Sequence, residues 1–257
     1  MPMAARELSP DGRIAEGKVA MSVASNTTRN VGTGLAFIVF PVVFIFAFAV
    51  HPGLLHPHLL SPVEIILRAH QAPLLQFGHV LVLLNTALLI VVALHFIKIL
   101  DRTVAARTGF IGGSLAILGA VMLAADKGAQ CLTMSAFDTL SEKEFLQIMP
   151  GVLAIFDKAG WLIVLWGMTL LPVGFAIQAI ALLRTHTLPR WQAVLFLVGV
   201  LLVAIPDGLE IINLTASVLM AIAFIPYGIQ LISAKQQKTP LSPEHSEGRG
   251  FASTGPR

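Results

Sequence analysis

Six apolar runs follow one another along this chain with only short polar connections between them, and that succession leaves few possible folds. The first run covers Gly32–Val50 with Pro41 inside it, the second Leu74–Leu100, the third Gly109–Ala125 and the fourth Val152–Leu183. The fifth begins at Trp191 and ends near Ile205; the sixth runs from Leu209 to Ile232. A helix crossing the hydrocarbon core of a bilayer needs about 20 residues at roughly 1.5 Å each. The first, second, fourth and sixth runs meet that length. The third meets it only by continuing past Asp126, and the fifth only by taking in Pro206 and Asp207. With 56% of its 257 residues hydrophobic and 12% charged, the chain carries about half the charge of a soluble domain. Mean hydropathy is +0.81. The expected fold is all-α: a polytopic membrane helical bundle of six transmembrane helices.

Six spans sort the basic residues by side. One side receives Arg6, Arg13, Lys18 and Arg29, then Lys98, Arg102 and Arg107, then Arg184 and Arg190, then Lys235 and Lys238. The other receives Arg68, Lys127, Lys143 and Lys158. Lys and Arg favour the cytoplasmic side of a membrane, so both termini are expected to be cytoplasmic. The chain then divides into a polar cytoplasmic N-terminal tail over 1–31, a six-helix transmembrane domain over 32–233 and a disordered cytoplasmic tail over 234–257. The last of these is rich in Pro, Ser, Gly and Glu. The first 30 residues lack the apolar core of a cleaved signal peptide. A formal charge of +3, spread through short connections, orients a membrane protein and does not build a nucleic-acid surface. The partner implied first is the lipid bilayer; a membrane-protein partner or a homo-oligomer stays open. A single cysteine, Cys131, excludes an intramolecular disulfide and any multi-cysteine metal site.

Two connections on the less basic side carry helix signals of their own. Ser61-Pro62-Val63-Glu64 is a capping box with Pro at the first helical position, predicting a short surface helix that ends before Pro73. Ser141-Glu142-Lys143-Glu144 repeats the pattern and is expected to stop at Pro150-Gly151.

Ionisable groups inside spans cost about 3 kcal/mol each on insertion scales, so those present need partners or water. Asp126 lies about 25 Å along its helix from Gly109, near the outer interface, with Lys127 beside it. Asp157 and Lys158 enter the fourth run from outside, and Asp207 and Glu210 open the sixth. These groups share one membrane level. Adjacent residues do not face each other on a helix, so the expected pairs are Asp126 with Lys158 and Asp157 with Lys127. Asp207, Glu210, Asn213 and Ser217 are spaced by three, three and four, which lines them along one helix face. Such a stripe has to face protein or water, never lipid. Read blandly, these are interfacial and hydrogen-bonding residues. Read functionally, they form an outward-facing polar layer that binds an ion, a proton or a ligand.

Histidines supply a second group. His51, His56, His58 and His70 crowd the first outer connection, and His79 sits just inside the second run on one face with Gln76 and Thr86. His56-Pro57-His58 would suit copper or zinc if a third ligand approached, with Asp207, Glu210 or His79 as sources. The bland alternative is a set of interfacial histidines. His95 falls on nearly the opposite side of its helix, which argues against a haem held by two histidines of this run. Gly109-Phe110-Ile111-Gly112-Gly113, with Gly119 beyond, is a small-residue face that packs either within the bundle or between copies. No nucleophile elbow, phosphate loop or dinucleotide fingerprint occurs.

Leu188-Pro189-Arg190-Trp191, a short basic connection opening the next span, resembles a junction in the DUF4386 family of bacterial six-span membrane proteins of unknown function. The resemblance covers Gly160–Ile205. It implies a helical bundle in the bacterial inner membrane and carries no activity. The chain departs from it at Asp207 and Glu210, where those proteins are often rich in Gly and Leu. Three function classes follow: a binding or accessory membrane protein, alone or as one subunit of a membrane assembly; a small-ion or solute transporter; and a membrane-embedded metal-assisted or acid–base enzyme. The first leads, because no catalytic motif appears.

Overall fold

With no water in the bilayer core to bond backbone groups, each apolar run has to satisfy its N–H and C=O groups internally, as a helix. A computed structural model describes residues 10–51, 54–55, 61–155, 161–204 and 210–233, and every regular element among them is helical. In chain order these are α1 (Pro10–Ala49), α2 (Pro62–Ala69), α3 (Pro73–Leu100), α4 (Ala106–Phe137), α5 (Glu142–Ile155), α6 (Trp161–Thr185), α7 (Arg190–Val203) and α8 (Glu210–Ser233). Four segments are long and apolar enough to cross a membrane: Asn30–Ala49 within α1, and the whole of α3, α4 and α8. Thr169–Thr185 of α6 and Arg190–Val203, all of α7, are shorter apolar helices of the same bundle. Large apolar side chains such as Leu84, Phe110, Leu118, Leu201 and Ile222 point outward, whereas Gln178, Gln192, Asn213 and Ser217 are buried. That is the polarity of a membrane-embedded helical bundle in contact with lipid.

The long helices close into a ring. Packing runs α1–α3–α4–α6–α7–α8 and back to α1, with a lighter contact of α3 and α6 across it. Ring neighbours are antiparallel, as short connections require. The end of α1 meets the start of α3 at Ala47 and Gly78, and its beginning meets the end of α8 at Gly34 and Gly228. Two places come close because neither helix carries a side chain there. A Cβ on Gly34 would sit 2.7 Å from the Gly228 carbonyl oxygen, and one on Gly112 2.8 Å from that of Gly174. The small-residue face of α4 (Gly109, Gly112, Gly113, Gly119) is thus consumed inside the bundle, against α3 and α6.

Aromatic rings fill the middle. Phe196 and Phe224 lie edge to face at 4.6 Å between centroids, and Phe37, Phe40 and Phe96 pack round Phe224 at 5.2–5.9 Å. Beside them is a small cavity of about 30 Å³ bounded by apolar side chains, among them Leu89, Pro172, Phe175 and Met220.

A second, smaller core sits at one end. Ile66 and Ala69 of α2, Leu75 of α3, Met134 of α4 and Phe145, Met149 and Val152 of α5 pack together there. Both capping boxes form: the Glu64 carboxylate accepts from the Ser61 N–H at 2.8 Å, and that of Glu144 from the Ser141 N–H at 2.9 Å. The two surface helices expected from the sequence therefore exist.

The segment read as a polar tail over 1–31 is helical from Pro10 onward. One expectation needs revision: α5 does not stop at Pro150-Gly151 but runs through Pro150 to Ile155. Pro150 is exposed, so the carbonyl it leaves without a helical donor can be solvated, while Met149 and Val152 keep the helix packed on the small core. The first residues of the fourth run, Val152 to Ile155, belong to α5, and α6 is described from Trp161 onward. The tail over 234–257 lies outside the described residues.

Candidate functional site

Antiparallel packing gathers at one end of the ring the last residues of α1 and α4 and the first of α3 and α8. Glu210, the first residue of α8, is 1% exposed. Its Oε1 lies 3.6 Å from His51 Nε2 at the end of α1, and Asn213 Nδ2 stands 3.5 Å from its Oε2. One turn deeper, the Ser217 hydroxyl donates to the Asn213 backbone carbonyl at 2.8 Å. The stripe read from the sequence is real from Glu210 to Ser217, and all three members are buried. Asn213 Oδ1 is buried and has no hydrogen-bond partner.

On α4, Asp126 is buried and Lys127 partly so, with Nζ–Oδ2 at 3.5 Å. Gln130 completes the group: its Nε2 donates to Asp126 Oδ1 at 3.3 Å and its Oε1 accepts from Lys127 Nζ at 2.9 Å. Neighbours in sequence do meet here, contrary to expectation, because the four-carbon lysine stem curls along the helix. Partly buried His79 on α3 lies within electrostatic reach of both Lys127 and His51. Asp157, Lys158, Asp207, His56 and His58 lie outside the described residues, and with them the Asp126–Lys158 and Asp157–Lys127 pairs. Among the described residues no three His, Cys, Asp or Glu side chains approach closely enough to hold a metal ion.

Above this layer the small outer core is tied by hydrogen bonds that the sequence did not reveal. The Asp138 carboxylate accepts from the Gln71 backbone N–H at 2.6 Å and from the Gln76 amide, while the Ser135 hydroxyl donates to Gln76 Oε1 at 2.7 Å. His70 stacks on Phe145 at 3.9 Å and bonds the Phe137 carbonyl at 3.3 Å. These contacts give His70 a structural task. In the first turn of α5 the Ser141 hydroxyl and backbone N–H both bond Glu144, holding its carboxyl below the usual carboxylate range.

The opposite end is different in kind. His95 Nε2 and the Tyr227 hydroxyl meet at 2.8 Å, wrapped by Phe37 and Phe96. Lys98, Arg102, Arg107, Arg184 and Arg190 are exposed there. In the same half, Gln178 donates to the carbonyls of Ala93 at 3.1 Å and Gly109 at 3.3 Å, bridging three helices. Gln192 is buried with neither amide atom bonded. Both glutamines escaped the sequence reading. The available signal was an amide inside an apolar run, which has to find a partner or stay costly.

No family model, curated protein or solved structure matches this chain.

Proposed function

We propose that this is a membrane-integral binding protein, acting alone or as a subunit of a membrane assembly, whose polar layer at Glu210 takes a ligand from the outer side. In this reading the ring is six spans in a bacterial inner membrane, related to the DUF4386 proteins, with both termini cytoplasmic. Support for the orientation comes from the exposed Lys98, Arg102, Arg107, Arg184 and Arg190 at the end opposite Glu210. At 14 residues α7 is the short member, and local thinning of the bilayer accommodates such a span.

The observation that carries the reading is a buried carboxylate–histidine–amide group that stops at an aromatic barrier. Beneath Glu210, His51 and Asn213 lie Phe40, Phe44, Phe196, Phe224 and Met220, all buried. A ligand reaching the layer meets acceptors and one imidazole, then hydrocarbon. This favours binding over passage. The transporter reading keeps one observation of its own, the unpaired amide atoms of Gln178 and Gln192 in the other half. An enzyme would need acid–base groups converging within hydrogen-bond reach of a shared atom. Among the described residues, the 3.5 and 3.6 Å separations around Glu210 bring together one carboxylate, one imidazole and one amide.

Cysteine labelling decides between the two leading readings. In a Cys131→Ala background, Asn213→Cys should react with a membrane-impermeant maleimide added outside and not from inside, and Gln192→Cys should not react from outside. Labelling of Asn213→Cys from both sides would replace binding with transport.

A further inference from the structure

We infer that the end of the bundle opposite Glu210 carries a binding site for an anionic phospholipid, its phosphate held between the α3–α4 and α6–α7 turns. This goes beyond the binding reading above and does not rest on it. Arg102 and Arg107 lie at the first turn, Arg184 and Arg190 at the second, and all four are exposed. Among the described residues no carboxylate forms an ion pair with any of them. Asp101 is the one acid in the two turns. Arg190 has an imidazole for its partner, donating from Nε to His186 Nδ1 at 3.4 Å. The guanidinium groups thus stand together with their charge unmatched.

Packing of α4 on α6 brings the two turns side by side. A Cβ on Gly112 would sit 2.9 Å from Ile177 Cγ2, which fixes the register of the two helices. From Gly112 back to Arg107, and from Ile177 on to Arg184, the chain covers about 7.5 and about 10.5 Å at roughly 1.5 Å per residue. The two arginines therefore end at nearly the same height. The short connection over 186–189 keeps the start of α7, Arg190, next to the end of α6.

The surroundings select a lipid over a soluble anion. One turn deeper on the same helix faces the surface is apolar: Phe110 and Ile111 follow Arg107, and Val194 follows Arg190, all exposed. The basic group therefore borders directly on the surface that meets hydrocarbon. Trp191, half exposed beside Arg190, has the amphipathic ring that settles at headgroup level. A ligand that satisfies both parts carries a phosphate and an acyl chain. Arginine suits the phosphate, because its planar fork bonds two oxygens at once. An anionic headgroup is favoured over a zwitterionic one, whose own cation is repelled by the cluster.

The test is thermal unfolding of the detergent-purified full chain, titrated with phosphatidylglycerol or, in parallel, with phosphatidylcholine of the same acyl chains. Phosphatidylglycerol should raise Tm saturably, and phosphatidylcholine should not. Arg107→Gln, Arg184→Gln and Arg190→Gln should each move the midpoint of that titration about fivefold toward higher lipid. Lys143→Gln, exposed at the opposite end, should leave it in place. A local readout follows Trp191 in a Trp161→Phe/Trp166→Phe background. Brominated phosphatidylglycerol should quench it more than brominated phosphatidylcholine, and Arg184→Gln/Arg190→Gln should abolish the difference. The assignment falls if the two lipids act alike, or if Lys143→Gln moves the midpoint as far as Arg190→Gln does. It falls also if inorganic phosphate alone gives the same rise in Tm, which would make the ligand a free anion.

Discussion

Glu210 and Tyr227 stand toward opposite ends of the same helix, and the bundle holds them in opposite ways. Tyr227 meets His95 at 2.8 Å inside a ring of phenylalanines. Glu210 has His51 and Asn213 standing off at 3.6 and 3.5 Å, with an amide oxygen beside it unpaired. The first arrangement is close: a single 2.8 Å hydrogen bond ties the two side chains together inside hydrocarbon. The second is looser, and the Asn213 amide oxygen beside it has no hydrogen-bond partner. Two buried polar groups on one helix thus differ in the closeness of their contacts, not in burial.

That contrast depends on the middle of the bundle keeping its two ends separate. The largest effect is therefore expected where the helices pack most closely. Gly119 on α4 faces the backbone of α6 at Leu171, so Gly119→Leu has to push the two helices apart. Overpacking of this kind costs about 3 kcal/mol or more, and the variant should lose most of its cooperative thermal transition in detergent. A wild-type Tm would mean that the close-packed middle is not what holds the ends apart. A moderate effect is expected at the satisfied end. Tyr227→Phe removes the hydroxyl facing His95 and should cost about 1 kcal/mol, read as a modest fall in Tm. An unchanged Tm would show that this close contact does not hold its end of the bundle, and the contrast would be lost. The smallest effect belongs to the exterior. The Glu144 carboxyl is lowered by its bonds to Ser141, so its stabilising charge is fully present above the unfolded carboxylate pKa and is lost as pH falls through the lowered folded value. Glu144→Gln should reduce hydrogen-exchange protection in the first turn of α5 at neutral pH, and the difference from wild type should vanish in acid.

Much of this fold is written in the sequence. The apolar runs, both capping boxes and the in-bundle use of the α4 glycines were legible because each depends on local spacing. The Glu210–Asn213–Ser217 face was legible for the same reason. Other features depend on which helices become neighbours, and spacing is silent about that. Nothing local says that His51 will reach Glu210, that His95 will find Tyr227, or that Gln178 will bridge to the backbones of α3 and α4. The place of Val152 was hidden too, since it looks like the start of a span until its burial in the small outer core is seen. Lysine reach misled in another way. A rule for facing residues treats side chains as stubs, and Lys127 is long enough to turn back on Asp126.

The contact of Gly34 with Gly228 makes the first and last described helices seam partners. A ribosome delivers α1 to the membrane long before α8 exists, so α1 has to wait with its glycine notch facing lipid or a chaperone. Closure of the ring then waits for α8, and a nascent chain interrupted before it presents an open edge to the proteases that police unfinished membrane proteins.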